Sequence, residues 1–392
     1  MRVAINGTGI AGPTLAYWLR RFGHEPVLFE KAPELRTGGY IIDFWGLGFE
    51  IADRMGLIPA LLERCYKMER LRMVDAEGRE VAGMDVTPMR EQLQGRFISL
   101  SRADLSAVLF KSCGGIQTRF GVSVAGIEQD GEGVTATLSD GRQDRFDLVV
   151  GADGLHSQVR ELIFGPEKRF EKSLDCHVAA FRLAGYPLRD ELTYVSHTVP
   201  KRQVARVALH DDETLVLLVC RSELIDGDPG REQQKAALRR AFDDMKWEVP
   251  EILDRMDEVD DIYFDRVSQI HLTRWSLGRV AVIGDAAACA SLLAGEGTGL
   301  AMIEAYVLAG ELHRAAGHVE HALTAFEARL RSFVTTKQKA AFRFRNFFAP
   351  RTKVALYLRN AAVNALSIPF FANRLIGSSL RDNLVLPDYF AS

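Results

Sequence analysis

A glycine-rich turn set between a short apolar strand and a helix constrains this chain more than any other feature. The run VAIN is followed by GTGIAG, then by PTLAYWLRRFG with helical character, then by a second strand, PVLFE. Strand, turn, helix and strand in this order, with G-x-G-x-x-G spacing, describe a dinucleotide-binding βαβ unit. Gly7 permits the tight turn, Gly9 lets the backbone approach a pyrophosphate, and Gly12 allows close helix–strand packing. The amides of Gly9, Ile10, Ala11 and Gly12 stand at a helix N-terminus, where the backbone carries partial positive charge suited to an anion. Glu30 ends the second strand, placed to accept hydrogen bonds from a ribose, and Lys31 follows it at the adenosine end.

Two further motifs lie far along the chain: GADGLHSQVR at Gly151–Arg160 and GRVAVIGDAA at Gly278–Ala287. Each follows or contains an apolar strand that stops at glycine. The segment SRADLSAVLFKSC reads as a helix with Ser101 as its N-cap. A second glycine-rich loop, LLAGEGTGLAM from Leu292 to Met302, runs into the long helix of TGLAMIEAYVLAGELHRAA.

Taken in this order, the three motifs resemble the FAD-dependent class A monooxygenases, the aromatic-hydroxylase group that includes para-hydroxybenzoate hydroxylases and tetracycline-inactivating monooxygenases. The resemblance spans Met1 to Leu312. It implies an α/β fold: a Rossmann-type FAD-binding domain with an inserted β-sheet substrate domain and C-terminal helices. It implies FAD as cofactor, with Asp285 on the ribityl chain, Asp153 and Gly154 helping to hold FAD and admit the pyridine nucleotide, and Arg102 near the ribityl and phosphate groups. Gly295, Gly297, Thr298 and Gly299 then stand at the pyrimidine edge of the flavin, where the positive end of a helix favours the reduced ring. The implied reaction uses NAD(P)H as transient co-substrate and O2, passes through a flavin C4a-hydroperoxide, and hydroxylates an aromatic or polyketide-like small molecule. It needs neither a protein nucleophile nor a metal, and no HExxH, Ser–His–Asp pattern or cysteine cluster is present.

The chain departs from the family pattern around the ring. Ala288 stands where a histidine follows GDAA, Leu292 where a proline is expected, and Gly299 where the family has asparagine. These changes predict a less polar, more permissive flavin environment. They leave open a flavin oxidoreductase without oxygen transfer, and, from another class, a flavoprotein that binds a ligand without turnover. The halogenase signature WxWxIP is absent; the nearest text is Trp247-Glu248-Val249-Pro250.

Texture along the chain divides it into discontinuous units. The expected FAD-binding domain takes residues 1–69, 87–163 and 273–330. The substrate domain takes 70–86, a hairpin about AEG, and 164–272, where alternating runs such as QVARVALHD and TLVLLVCRSE read as antiparallel strands with the helix EQQKAALRRAFDDM beside them. Residues 331–392 form a C-terminal helical segment. GGYIIDFWGLGFEIADRMGL reads as a loop entering a helix.

Between Arg329 and Arg359 run nine basic residues with no acid among them, interleaved with Phe333, Phe342, Phe344, Phe347 and Phe348. The reading is an amphipathic element whose aromatics pack on both domains and whose basic side chains are solvated, rather than a membrane anchor. The apolar run from Val354 to Leu375 is broken by Arg359, Asn360, Asn364 and Pro369 and does not read as a spanning helix. A net charge of −3 with mixed signs argues against a nucleic-acid partner. Met1-Arg2 leads straight into the first strand, which with five unclustered cysteines predicts a cytoplasmic protein with reduced thiols. Cys289 reads as a small buried side chain. His177, His197 and His210 fall in the substrate domain, and none is assigned as catalytic base. The substrate, the choice of NADH or NADPH and the oligomeric state stay open.

Overall fold

The computed structural model describes every residue except 36–37, 189, 292, 294, 367–381 and 391–392, together with the side chains of Arg343 and Phe344. A six-stranded sheet of order β17-β18-β11-β1-β2-β7 is built from β1 (Arg2–Asn6), β2 (Glu25–Glu30), β7 (Gln117–Phe120), β11 (Leu148–Gly151), β17 (Ser276–Leu277) and β18 (Val280–Val282). All pairs are parallel except the β17–β18 hairpin. Val3, Ala4, Ile5, Leu28, Phe29, Val149 and Val150 are almost fully buried, as a sheet covered on both faces requires.

Helix α1 (Ala11–Arg21) crosses from β1 to β2. Two glycines make that crossing possible. A Cβ on Gly7 (φ +114°) falls 2.4 Å from the Ala152 carbonyl oxygen, and one on Gly12 falls 1.9 Å from the Gly7 carbonyl oxygen. Between the crossings lie a two-stranded sheet of β3 (Ile41–Trp45) with β6 (Phe97–Ser101), the helices α2 (Gly46–Arg54), α3 (Ile58–Leu62) and α4 (Thr87–Gln92), and α5 (Arg102–Ser112). The Ser101 hydroxyl accepts the Asp104 amide at 3.2 Å and caps α5, a contact worth about 1 kcal/mol. The expected loop before α2 is instead the strand β3: its alternating IIDFW pairs with FISLS, more than fifty residues away, and no local signal shows that partner. A three-stranded sheet, β8 (Val124–Gln129), β9 (Val134–Leu138) and β10 (Gln143–Phe146), leads into β11, which is followed by α6 (Gln158–Phe164).

A seven-stranded sheet has the order β16-β12-β15-β14-β13-β4-β5. Its strands are β4 (Arg70–Val74), β5 (Glu80–Asp85), β12 (Glu171–Ala184), β13 (Thr193–Val199), β14 (Arg202–Ala208), β15 (Glu213–Arg221) and β16 (Tyr263–Ile270). The register aligns Ser196 with Ala205, Ala205 with Leu217 and Leu217 with Ala180 on one face. The opposite face carries Ala179, Phe181, Val204, Val216 and Leu218, which pack on α7 (Gln234–Phe242) and α8 (Val249–Met256).

After β18 come α9 (Asp285–Ala288), α10 (Gly297–Arg314), α11 (Val319–Phe348) and α12 (Lys353–Leu366). Phe333 packs on the large core, while Phe342 and Phe348 pack beside Val178 and Val219, and Phe347 beside Met73. The basic residues differ from expectation, because acids from other segments pair with them. Arg329 meets Glu311, Lys337 meets Glu296 and Asp382, and Arg351 meets Asp175, while Arg331 meets Glu327 one turn back on α11 itself. Among the described residues, no helix is long and apolar enough to cross a membrane.

Candidate functional site

The turn after β1 is an anion cradle. A Cβ on Gly9 meets nothing within 4 Å except Arg102 Nη2 at 3.8 Å, so this glycine, unlike Gly7 and Gly12, leaves open space beside the first turn of α1. Ile10 and Ala11 are buried behind it. Glu30 closes one side: its carboxylate accepts the Thr8 amide at 3.0 Å, the Thr8 hydroxyl at 2.8 Å and the Ala32 amide at 2.9 Å. Lys31 is exposed at the rim. The Arg102 amide donates to the Tyr40 carbonyl oxygen at 3.0 Å, fixing the start of α5 beside the cradle.

Asp153 works on its own chain. Its carboxylate accepts from Asn6 Nδ2 (3.0 Å), Ser157 Oγ (2.5 Å) and the amides of Gln158 (2.9 Å) and Val159 (3.1 Å). It therefore ties β1 to the N-terminus of α6 and shapes the loop that bears Gly154. His156, beyond that loop, lies 3.3 Å from Asp265 and 3.0 Å from Glu167; Asp265 first, and then Glu167, raise its imidazole to about 9 against the cost of burial.

Asp285 begins α9 directly after Gly284, whose φ of +63° turns the chain out of the sheet. A Cβ on Gly297 falls 3.6 Å from Asp285 Oδ1, so this carboxylate and the second glycine turn are neighbours. Gly295 (φ +68°) has open space around it, Thr298 is buried, and Gly299 faces Gly48 of α2. A Cβ on Gly48 falls 2.6 Å from Gly299 Cα, so the N-termini of α2 and α10 meet backbone to backbone. Gly9 neighbours Arg102, Gly284 neighbours Ala11 and Gly297 neighbours Asp285, which sets a route between the two turns whose open glycines and helix N-termini suit an elongated dianionic dinucleotide. FAD fits that donor set. Leu292 lies outside the described residues.

Four residues at the site carry no motif. Lys337 of α11 bonds Glu296 at 2.9 Å and Asp382 at 2.8 Å, and Asp382 accepts the Leu47 amide at 3.0 Å, clamping the glycine turn between α2 and the C-terminal tail. Glu304, buried in α10, accepts the Gly284 amide, and burial raises its carboxyl to about 8. Tyr40 is pushed up to about 12 by burial. Asp43 keeps solvent-accessible surface yet is enclosed enough for burial to raise its carboxyl, opposed by a 2.6 Å bond from Ser99 Oγ. It borders a cleft that also touches Gly295, Glu296 and Lys337. The alternation of IIDFW is the one local signal that marks Asp43 as sharing a side with Ile41.

The remaining expectations sort plainly. Cys289 is buried, its thiol held well above the usual range by burial and next by Asp285, in keeping with a packed side chain. His177 and His197 lie on the sheet face that packs toward α7 and α8, the first stacked on Phe264 and the second bonded to the Val74 carbonyl oxygen at 3.0 Å. His210 stacks on Tyr66 at 4.4 Å. Among the described residues, no group of His, Cys, Asp and Glu is placed to hold a metal ion.

Residues 1–336 match the family model described as FAD binding domain. A flavin-dependent monooxygenase of Legionella longbeachae is 32% identical, with 100% of this chain and 99% of the relative covered. The crystal structure of the tetracycline destructase Tet(51) superimposes with a TM-score of 0.82 at 30% identity, over 99% of this chain and 98% of that one. Klebsiella pneumoniae HpxO, crystallised with FAD and uric acid, shares the fold with a TM-score of 0.80 at 21% identity, over 97% and 96% of the two chains.

Proposed function

Because the chain belongs to the FAD-binding-domain family of flavin-dependent monooxygenases, and is therefore an FAD-dependent oxidoreductase, we propose that it hydroxylates an aromatic or polyketide-like small molecule with NAD(P)H as electron donor and O2 as oxygen source. The observation that carries this reading is the position of the second glycine turn. Leu293, at its start, packs with Val178 and Val219 on the apolar face of the seven-stranded sheet. The reactive end of a dinucleotide lying along the route would thus meet a dry pocket rather than bulk water, which is where oxygen transfer competes best with loss to solvent.

In this reading the division of labour follows the chain. Residues 1–69, 87–163 and 273–330 hold FAD, residues 70–86 and 164–272 hold the substrate, and residues 331–392 brace the two. The amides of Gly9, Ile10 and Ala11 hold the pyrophosphate, with Gly7 and Gly12 shaping the turn. Glu30 and Lys31 serve the adenosine end, and Arg102 lies beside the phosphates. Asp285 anchors the ribityl chain, and Gly295, Gly297, Thr298 and Gly299 meet the ring edge at the positive end of α10. Asp153 acts indirectly, by keeping the loop at Gly154 open. When bound, FAD supplies the redox and oxygen-activating chemistry; the protein binds, orients and excludes water.

The test is a panel of aromatic and polyketide compounds added to purified yellow protein with NADH or NADPH. Ligand-stimulated nucleotide oxidation, with one atom from labelled O2 in the product, is the expected result. Nucleotide oxidation without incorporation would indicate the oxidoreductase alternative, and ligand binding with no flavin reduction would indicate the binding module.

A further inference from the structure

Helix α12 is apolar on the side it turns to solvent as well as on the side it buries. Arg359 and Val363 are buried, and Val363 packs with Met73 and Ala82 of the β4–β5 hairpin. On the opposite side Val354, Tyr357 and Leu358 are 69%, 72% and 61% exposed, and Ala361 and Ala362 follow them, exposed as well. Spaced three and four residues apart, these five draw one stripe along the helix. Exposed apolar side chains gathered in this way mark a contact surface, as scattered ones do not. The neighbouring sheet edge offers less. β5 ends the seven-stranded sheet, but Asn364 Oδ1 accepts the Gly83 amide at 3.1 Å and Asn364 Nδ2 donates to the Val81 carbonyl oxygen at 3.3 Å, so the middle of that edge is already bonded.

The two ends of α12 differ in size and in charge. Its bulky exposed side chains lie in the first half and its exposed alanines in the second. Lys353 opens the helix, exposed and without an ion pair among the described residues, and the helix KVALYLRNAAVNAL holds no acid. Beside the other end a groove of about 500 Å³ is bordered by Asn364, Glu69, Glu80 and Asp85. Arg70 answers Glu80 at 2.7 Å, which leaves Glu69 and Asp85 to make the groove negative. Lys353 and Asn364 are eleven residues apart, about three turns, so they leave the helix on the same flank.

We propose that the exposed face of α12 docks a second copy of this chain, with the two α12 helices packed antiparallel about a two-fold axis. An isologous contact uses the same patch on both sides, so each end of the patch must suit the other end. Antiparallel pairing meets that condition twice. Val354, Tyr357 and Leu358 of one copy lie over Ala361 and Ala362 of the other, large against small, and Lys353 reaches Glu69 and Asp85 on the flank that the two-fold keeps in common. Parallel pairing would set Tyr357 on Tyr357, alanine on alanine and Lys353 on Lys353, with voids and repulsion together. A helix of 14 residues is about 21 Å long. One such pair covers less than the roughly 800 Å² per partner of a standard interface, so the dimer is a weak one, of micromolar affinity. None of the groups assigned to FAD lies on α12, so dimer formation and flavin content are separate readouts.

Sedimentation velocity of the full FAD-loaded chain, run from low to high micromolar protein, should show monomer passing to dimer. Leu358→Arg, at an exposed position, should raise the dissociation constant at least about tenfold. Lys353→Glu brings like charge against Glu69 at both ends of the contact, and Glu69→Lys brings like charge against Lys353, so each variant alone should dimerise about tenfold more weakly. Mixed in equal amounts, the two variants should form a heterodimer near wild-type affinity, because opposite charges then meet at both ends. A contact within one chain cannot be restored by mixing. Flavin absorbance and melting temperature of all three variants should match wild type, since the three side chains are exposed. A wild type that stays monomeric at high micromolar protein, a Leu358→Arg that dimerises as well as wild type, or a mixture as weak as its components overturns the proposal. A monomeric wild type that sediments with phosphatidylserine vesicles, and a Leu358→Arg that does not, overturns it in favour of a lipid surface.

Discussion

Glu304 Oε2 accepts the Gly284 amide at 2.5 Å, while Glu304 Oε1 has no hydrogen-bond partner among the described residues. A buried carboxyl from α10 thus fastens, from below, the turn that presents Asp285. Burial keeps it protonated up to about pH 8, against 4.5 for a free glutamate, and Asp285 adds to the effect. In the unfolded chain the proton leaves first as pH rises, so this group's contribution to stability falls between about 4.5 and about 8 and is level outside that window.

Glu304→Gln keeps an acceptor for Gly284 and removes the ionisation. Urea unfolding across that pH range should therefore show the variant gaining on wild type as pH rises, with a slope of up to about 1.4 kcal/mol per unit. Parallel curves would mean that Glu304 ionises normally in the fold.

The three glycines of the first turn should separate by cause. Gly7→Ala and Gly12→Ala drive a Cβ into backbone at 2.4 Å and 1.9 Å, so both should lower the melting temperature with or without FAD. Gly9→Val enters open space, so the protein should stay folded by circular dichroism yet emerge colourless. Asp285→Ala should weaken FAD binding by about 1.5–3 kcal/mol, the range for a hydrogen bond to a charged group. Normal flavin content in both Gly9→Val and Asp285→Ala would refute the placement of the cofactor.

What the sequence made legible follows from how local each signal is. The first turn is written in glycine spacing because its shape is set by backbone, and the Ser101 cap and the Arg70–Asp85 hairpin are likewise short-range. Asp43 was hidden because its strand is defined by a partner at Phe97–Ser101. The basic run looked solvated because its acids, Glu296, Glu311, Asp175 and Asp382, come from segments that only the fold brings near.

The tail should prove structural. Tyr389 is 1% exposed, donates to Glu311 at 2.7 Å and fills the space above Gly310, where a Cβ falls 2.2 Å from its ring. Tyr389→Ala should cost about 3–5 kcal/mol, the range for deleting a buried aromatic. Gly310→Ala should displace the same ring from the other side, and both variants should hasten C-terminal trimming by carboxypeptidase. Wild-type trimming rates in both would show that the tail is not held by this contact.

Lys337 joins that tail to the second glycine turn. Its ammonium is held between Glu296 and Asp382, with side chains 15%, 20% and 12% exposed, so removing it leaves two poorly hydrated carboxylates facing each other. Repulsion between them strains the glycine turn, because Glu296 sits in it, next to Gly295 and Gly297. Lys337→Met should therefore loosen the turn and weaken FAD binding about tenfold, equivalent to about 1.4 kcal/mol. Glu296→Gln added to Lys337→Met removes one of the two charges and should restore part of the affinity, a coupling that a double-mutant cycle reads directly. Titration of the apoprotein of each variant with FAD measures it. Additive losses would mean that the two side chains act independently and that the ammonium does not hold the turn in place.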